Sequence, residues 1–173
     1  SVGVEQPDLV SEAVNFNDAV RFDGGDDNLD LDGTKLPNGT GTRTYFILSK
    51  ADTGSESISV LGHGTDVAGQ RSLFGISDTE IGIDVNGHNY GVASGSNVPL
   101  VTTWELPVSA NSNQWAIRSN GVDLTEGDLS GTSQTVNTGT TSAQIGGNPF
   151  GTENFDGDIV EILTFGSAFS AGD

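Results

Sequence analysis

Cysteine and methionine are absent from the 173 residues, and basic charge is scarce: six Lys plus Arg face 24 Asp plus Glu, a formal net charge of −18. Each shortage excludes something. Without Cys there are no disulfides, thiolate nucleophiles or Cys-type zinc sites. The negative surplus repels a polyphosphate backbone and an anionic membrane alike, so nucleic acid is not an expected partner. No run of 18 apolar residues and no signal peptide is present. The chain reads as a soluble piece without direct membrane insertion, any export signal lying outside it. Aromatics make up only 7% of the chain, and no window keeps a helical period for three turns.

What is present is Gly, Ser, Thr, Asn and Asp, with 25 glycines and an apolar fraction of 34%. This is enough for one core and typical of an all-β domain with many polar turns. Short, often alternating apolar runs mark strands at 19–22, 29–31, 44–48, 57–61, 72–76, 80–85, 88–92, 100–106, 114–119, 140–145 and 159–165. Asn86-Gly87 and Asn120-Gly121 lie between such runs and are hairpin signals. Residues 1–13 read as a linker or edge segment, 125–139 as an irregular loop, and 168–173 as the start of a further element.

Sixteen of the acids are Asp, a residue of turns and hard-cation sites. Asp23, Asp26, Asp27, Asp30 and Asp32 crowd ten positions, with only Arg21 and Lys35 near to offset them. Such a cluster calls for a cation, and Ca2+ suits it because Ca2+ accepts six to eight oxygens, including carbonyls of a Gly-Gly turn. Solvated turn aspartates are the alternative. Residues 28–33 imitate half an EF-hand loop, but Gly39 stands where a bidentate Glu is needed. Leu29 and Leu31 alternate as a strand does, which leaves Asp30 and Asp32 on its exposed face. Asp123, Glu126 and Asp128 form a weaker acidic loop. Trp115 alternates with Ile117 and reads as core, whereas Trp104 is divided between core and ligand platform. Glu161, in an apolar run, is expected to pair with Arg21 or Arg118. His63 and His88 lack zinc-motif spacing.

Residues 19–29, with Phe22-Asp23-Gly24-Gly25, and 155–163, with Phe155-Asp156-Gly157-Asp158, resemble the opening and closing strands of laminin-G-like, concanavalin-A-like jelly rolls. Residues 115–121 resemble that family's central hairpin and Ile145-Gly146-Gly147 its penultimate strand, so the likeness spans 9–168. It is nearest to the versions in large secreted bacterial adhesins of the repeats-in-toxin type. The resemblance implies an all-β, two-sheet antiparallel sandwich over 1–173, with first and last strands adjacent and ligands at one loop rim or on the concave sheet. It also implies that Asp156 and Asp158 join Asp23, Asp26 and Asp27 around a metal. The loop residues His63, Asp66, Asn111, Asn113, Asn148, Glu153 and Asn154, with Trp104, are the candidate ligand-binding set.

The family's hydrolase branch carries a Glu-x-Asp-x-x-Glu strand, which this chain lacks, and no Ser-His-Asp order with a nucleophile elbow is present. The expectation is therefore a non-catalytic, Ca2+-dependent module of an extracellular bacterial adhesin, monomeric within a larger chain. Its expected partner is a peptide or protein surface on a host or neighbouring cell, the alternative being a glycan. A Ca2+-rigidified spacer is the third reading.

Overall fold

Alternating side chains and left-handed turn residues generate two antiparallel sheets of seven strands each. The computed structural model describes residues 6–52, 54, 59–93 and 95–169. The expected strand positions 57 and 58, residues 1–5 of the expected linker and 170–173 of the expected terminal element lie outside the described residues.

The strands are β1 (Asp8–Val14), β2 (Asn17–Asp23), β3 (Leu29–Asp30), β4 (Arg43–Ala51), β5 (Ser59–Gly64), β6 (Arg71–Ile76) and β7 (Ile81–Asp84). They continue as β8 (His88–Val92), β9 (Leu100–Leu106), β10 (Ala116–Ser119), β11 (Val122–Asp123), β12 (Gly127–Gly131), β13 (Ser142–Ile145) and β14 (Asp156–Phe165). One 3-10 turn, Gly33–Lys35, is capped by Asp32, whose carboxylate accepts from the Thr34 amide. The first sheet runs β1-β2-β14-β4-β9-β10-β11 and the second β12-β8-β7-β6-β5-β13-β3. This is the all-β antiparallel sandwich expected from the sequence.

The facing sides of the sheets meet in one core. Phe22, Tyr45, Ile47, Trp104, Leu106 and Ile117 of the first sheet pack with Leu61, Phe74, Ile76, Ile81 and Ile83 of the second. Phe74 centres an aromatic cluster, its ring 4.3 Å from Tyr45, 5.4 Å from Trp104 and 5.6 Å from Trp115. The first and last core strands are adjacent, Phe22 opposite Gly157 and Asp23 opposite Asp156. Phe22 and Ile159 share the core and Ile162 packs at its margin, whereas Phe165 lies on the outer side against Phe46.

Two strands depart from the sequence reading. Asp8–Val14, read within a linker or edge segment, is the outermost strand of the first sheet. It turns into β2 through Asn15 and Phe16, both at positive φ (48° and 66°), where Asn-Gly is the usual signal. Gly127–Gly131, read as loop, pairs with β8 through a bulge and carries a single apolar side chain. The two Asn-Gly turns form as expected, with positive φ at Asn86, Gly87, Asn120 and Gly121. Arg43 is fully buried. It is held by the carbonyls of Pro37, Asn38, Gly39 and Gly41 and by Thr138 Oγ1, so its charge is met by dipoles rather than by a carboxylate.

Candidate functional site

The outer face of the second sheet follows from strand alternation. On β6, Ser72, Phe74 and Ile76 point inward, leaving Arg71, Leu73 and Gly75 outward; on β7 the outward pair is Gly82 and Asp84. Register sets Gly75 opposite Gly82 and Gly82 opposite Gly91, which makes a side-chain-free strip across three strands. A Cβ on Gly91 would stand 2.4 Å from the Ile81 carbonyl oxygen, so the strip cannot be filled without moving backbone. Arg71, Glu80, Asp84 and Asn89, with Asn148 and Glu153 of the loop after β13, wall a hollow of about 280 Å3 over this floor.

Arg71 organises the wall. Its Nε and Nη2 donate to Asp84 Oδ1 and Oδ2 at 3.2 and 2.7 Å, and Nη1 donates to Asp66 Oδ1 at 3.1 Å. The fork-on-carboxylate geometry fixes both side chains. Glu153 accepts from Asn148 Nδ2 at 2.7 Å. Backbone hydrogen bonds first, then the Asn148 amide and the field of Arg71, hold the Glu153 carboxyl below its ordinary range. Ser59 is buried in the lining, and its Oγ has no hydrogen-bond partner among the described residues. Among the described residues no aromatic side chain lines the hollow.

A second hollow, of about 380 Å3, lies on the other side of the same loop and is bounded by Asp26, Asn28, Gln144, Asn148 and Asn154. Beside it Asp23, Asp26 and Asp27 place one carboxylate oxygen each within 4.8 Å of one another. Burial, then the charges of Asp23 and Asp26, push the Asp27 carboxyl upward. Burial and the charges of Asp52 and Asp23 do the same to Asp156, against the opposing pull of Arg21. A Cβ on Gly24 would be 2.9 Å from the Asp156 Cβ, which puts that residue against the turn. Asn154 Nδ2 donates to the Gly25 carbonyl and ties the loop to it.

The remaining expected residues divide. Asp66, Asn148 and Glu153 meet around Arg71, and Asn154 lines the second hollow. Asp158 does not face the aspartate turn openly: 2% exposed, it is clasped by Arg21 Nε and Nη2 at 2.6 and 2.8 Å. Trp104 is fully buried and offers no platform. His63 is fully buried too, and points inward to the Tyr45 hydroxyl at 2.9 Å. Desolvation, then the charge of Arg43, keeps it neutral, with its pKa pushed down to about 3. Asn111 and Asn113 are exposed on the loop between β9 and β10 and line neither hollow.

The weaker acidic loop does not converge. Asp123 pairs with Arg118, Glu126 accepts from the Ile117 amide and Asp128 from His88. Glu161 is exposed, and both arginines proposed for it are engaged elsewhere. Ser112, His88 and Asp128 do form a hydrogen-bonded chain, with Ser112 Oγ 2.6 Å from His88 Nδ1. Ser112 is fully buried and its Oγ accepts the Gln134 amide, so this chain braces β8 and β12 rather than presenting a nucleophile.

Sequence reasoning missed Arg71, Asp84, Asn89 and the glycine strip. The available signal was a glycine at an alternate position in three successive strands, Gly75, Gly82 and Gly91. Only the register aligns them.

The solved structures that resemble this chain include carbohydrate-binding modules. No family model and no curated protein matches the sequence. The carbohydrate-binding module CBM40 of the Ruminococcus gnavus IT-sialidase, bound to α2,3-sialyllactose, superposes with a TM-score of 0.64 at 17% identity, over 88% of this chain and 91% of that one. The leech intramolecular trans-sialidase gives 0.65 at 22% identity, over 90% of this chain and 26% of that enzyme. The NanB sialidase of Streptococcus pneumoniae gives 0.60 at 21%, over 87% and 26%. This chain thus spans about a quarter of those sialidases and nearly all of the isolated module. At these identities the likeness establishes the sandwich fold. It supports the jelly-roll part of the resemblance and adds nothing for a laminin-G adhesin identity.

Proposed function

We propose that this chain is a non-catalytic glycan-binding module whose binding face is the outer side of the second sheet. The observation that carries the reading is the hollow over Gly75 and Gly82, where a fixed ring of acceptors and donors surrounds a floor bare of side chains. Sugar hydroxyls both donate and accept, and the wall supplies carboxylates and amides to meet them. The whole-length likeness to a carbohydrate-binding module favours a glycan over the peptide partner first expected and leaves the kind of glycan open. The wall also offers few apolar side chains, chiefly Leu73, to a peptide.

Ca2+ remains part of the proposal. Asp23, Asp26 and Asp27 are hard oxygen donors close enough to share one ion, and Asp156 stands beside them; Asp158 is left to Arg21. Calcium there would neutralise the repulsion that raises Asp27 and stiffen the turn that Asn154 holds. We place the module outside the cell in a larger bacterial chain; among the described residues no helix is long and apolar enough to cross a membrane.

Amide chemical shifts followed during titration with a binding glycan test the face. Perturbations are expected at Arg71, Gly75, Gly82, Asn89 and Glu153. Shifts confined to the 111–113 loop or to the first sheet would overturn the assignment.

A further inference from the structure

Resting on the glycan-binding reading, we infer that the hollow selects uncharged sugars and turns away sugars bearing a carboxylate or sulfate. Among the described residues the lining carries one base, Arg71, against three acids, Glu80, Asp84 and Glu153, a formal charge of −2. The base is already committed: both oxygens of Asp84 occupy its Nε and Nη2, and Asp66 takes Nη1. An acidic sugar reaching Arg71 finds only the N–H groups that Asp84 and Asp66 leave over, and the carboxylates of Asp84, Asp66 and Glu153 then face the incoming one.

A hydroxyl meets no such obstacle. It donates to the carboxylates already fixed in place, and Glu80 Oε1 overhangs the floor, 3.3 Å from where a Cβ on Gly82 would be. With no aromatic among the described residues of the lining, stacking, which is indifferent to charge, contributes nothing, and polar matching decides which sugars stay. The net charge of −18 acts in the same direction at longer range.

A printed array of neutral and acidic glycans, followed by titration calorimetry, tests this. The best neutral glycan is compared with its sialic-acid-capped or uronate counterpart at about 10 mM and about 0.3 M salt. The neutral member is expected to bind at least about tenfold more tightly at low salt, with the gap narrowing as salt screens the hollow. Replacing two exposed acids together, Asp66→Asn with Glu153→Gln, is expected to close most of the gap by strengthening the acidic member. The salt dependence of the wild-type chain gives the same answer if that variant folds poorly. An acidic glycan binding as tightly as its neutral counterpart overturns the charge selectivity and leaves glycan binding intact. Silence for every glycan overturns both.

Discussion

Two acidic neighbourhoods flank the loop after β13, and they handle the same charge differently. In the hollow, carboxylates are arranged around Arg71, and Glu153 is held below its ordinary pKa range. In the turn, Asp23, Asp26 and Asp27 crowd without a base among them, and Asp27 and Asp156 are pushed above theirs. In the first arrangement hydrogen bonds from Arg71 and Asn148 hold the carboxylates in place. The second holds surplus negative charge that a cation would relieve. A charge of −18 is therefore two kinds of acidity, one organised and one unsatisfied.

The contrast is broken most severely by removing the organising base. Arg71→Gln leaves Asp84 and Asp66 without a cation, with hydrogen bonds from Asn86 still on both; we expect a loss of roughly 2–3 kcal/mol by denaturant unfolding, together with loss of glycan binding. A cost below about 0.5 kcal/mol, within the range of an ordinary surface substitution, would mean that Arg71 does not organise the hollow.

Next in size is the metal. With Ca2+ at about a hundred times its dissociation constant the folded chain gains about 2.7 kcal/mol, roughly 5–10 °C in melting temperature at this chain length. Excess chelator should remove the gain, and Asp27→Asn should make the chain largely insensitive to both. Coincident melting curves with calcium and with chelator would sink the calcium proposal.

Legibility in the sequence followed the same division. Alternation and Asn-Gly turns showed the sandwich, and the aspartate turn stood out because its members are contiguous. The hollow did not, because Arg71, Asp84 and Gly91 come together only through cross-strand register. Trp104 misled because alternation does not say which sheet face is inside; its neighbour Glu105 faces out and pairs with Arg118. Phe16 hid the first hairpin by occupying a left-handed position usually given to Gly.

The smallest effect is in pH, and here the two neighbourhoods should diverge in sign. Asp27 and Asp156, raised in the calcium-free fold, take up protons before the unfolded chain does. Their contribution to stability therefore improves as pH falls from the raised values toward about 4. Glu153, lowered in the fold, contributes above its ordinary value, and that contribution is lost as pH falls through the lowered one. Carboxyl carbon shifts followed by NMR should show Asp27 and Asp156 titrating above ordinary carboxylates and Glu153 below. The same order in saturating calcium would show that no ion enters the turn.

Asn148 borders both hollows, and Asn154 ties the same loop to Gly25. A single wall shared by two compartments makes their occupancies thermodynamically reciprocal. Whatever factor an ion in the turn applies to sugar affinity, the sugar must apply to the affinity for the ion. A module whose grip on a surface tightened with calcium would hold calcium harder once attached, and one whose grip loosened would let it go.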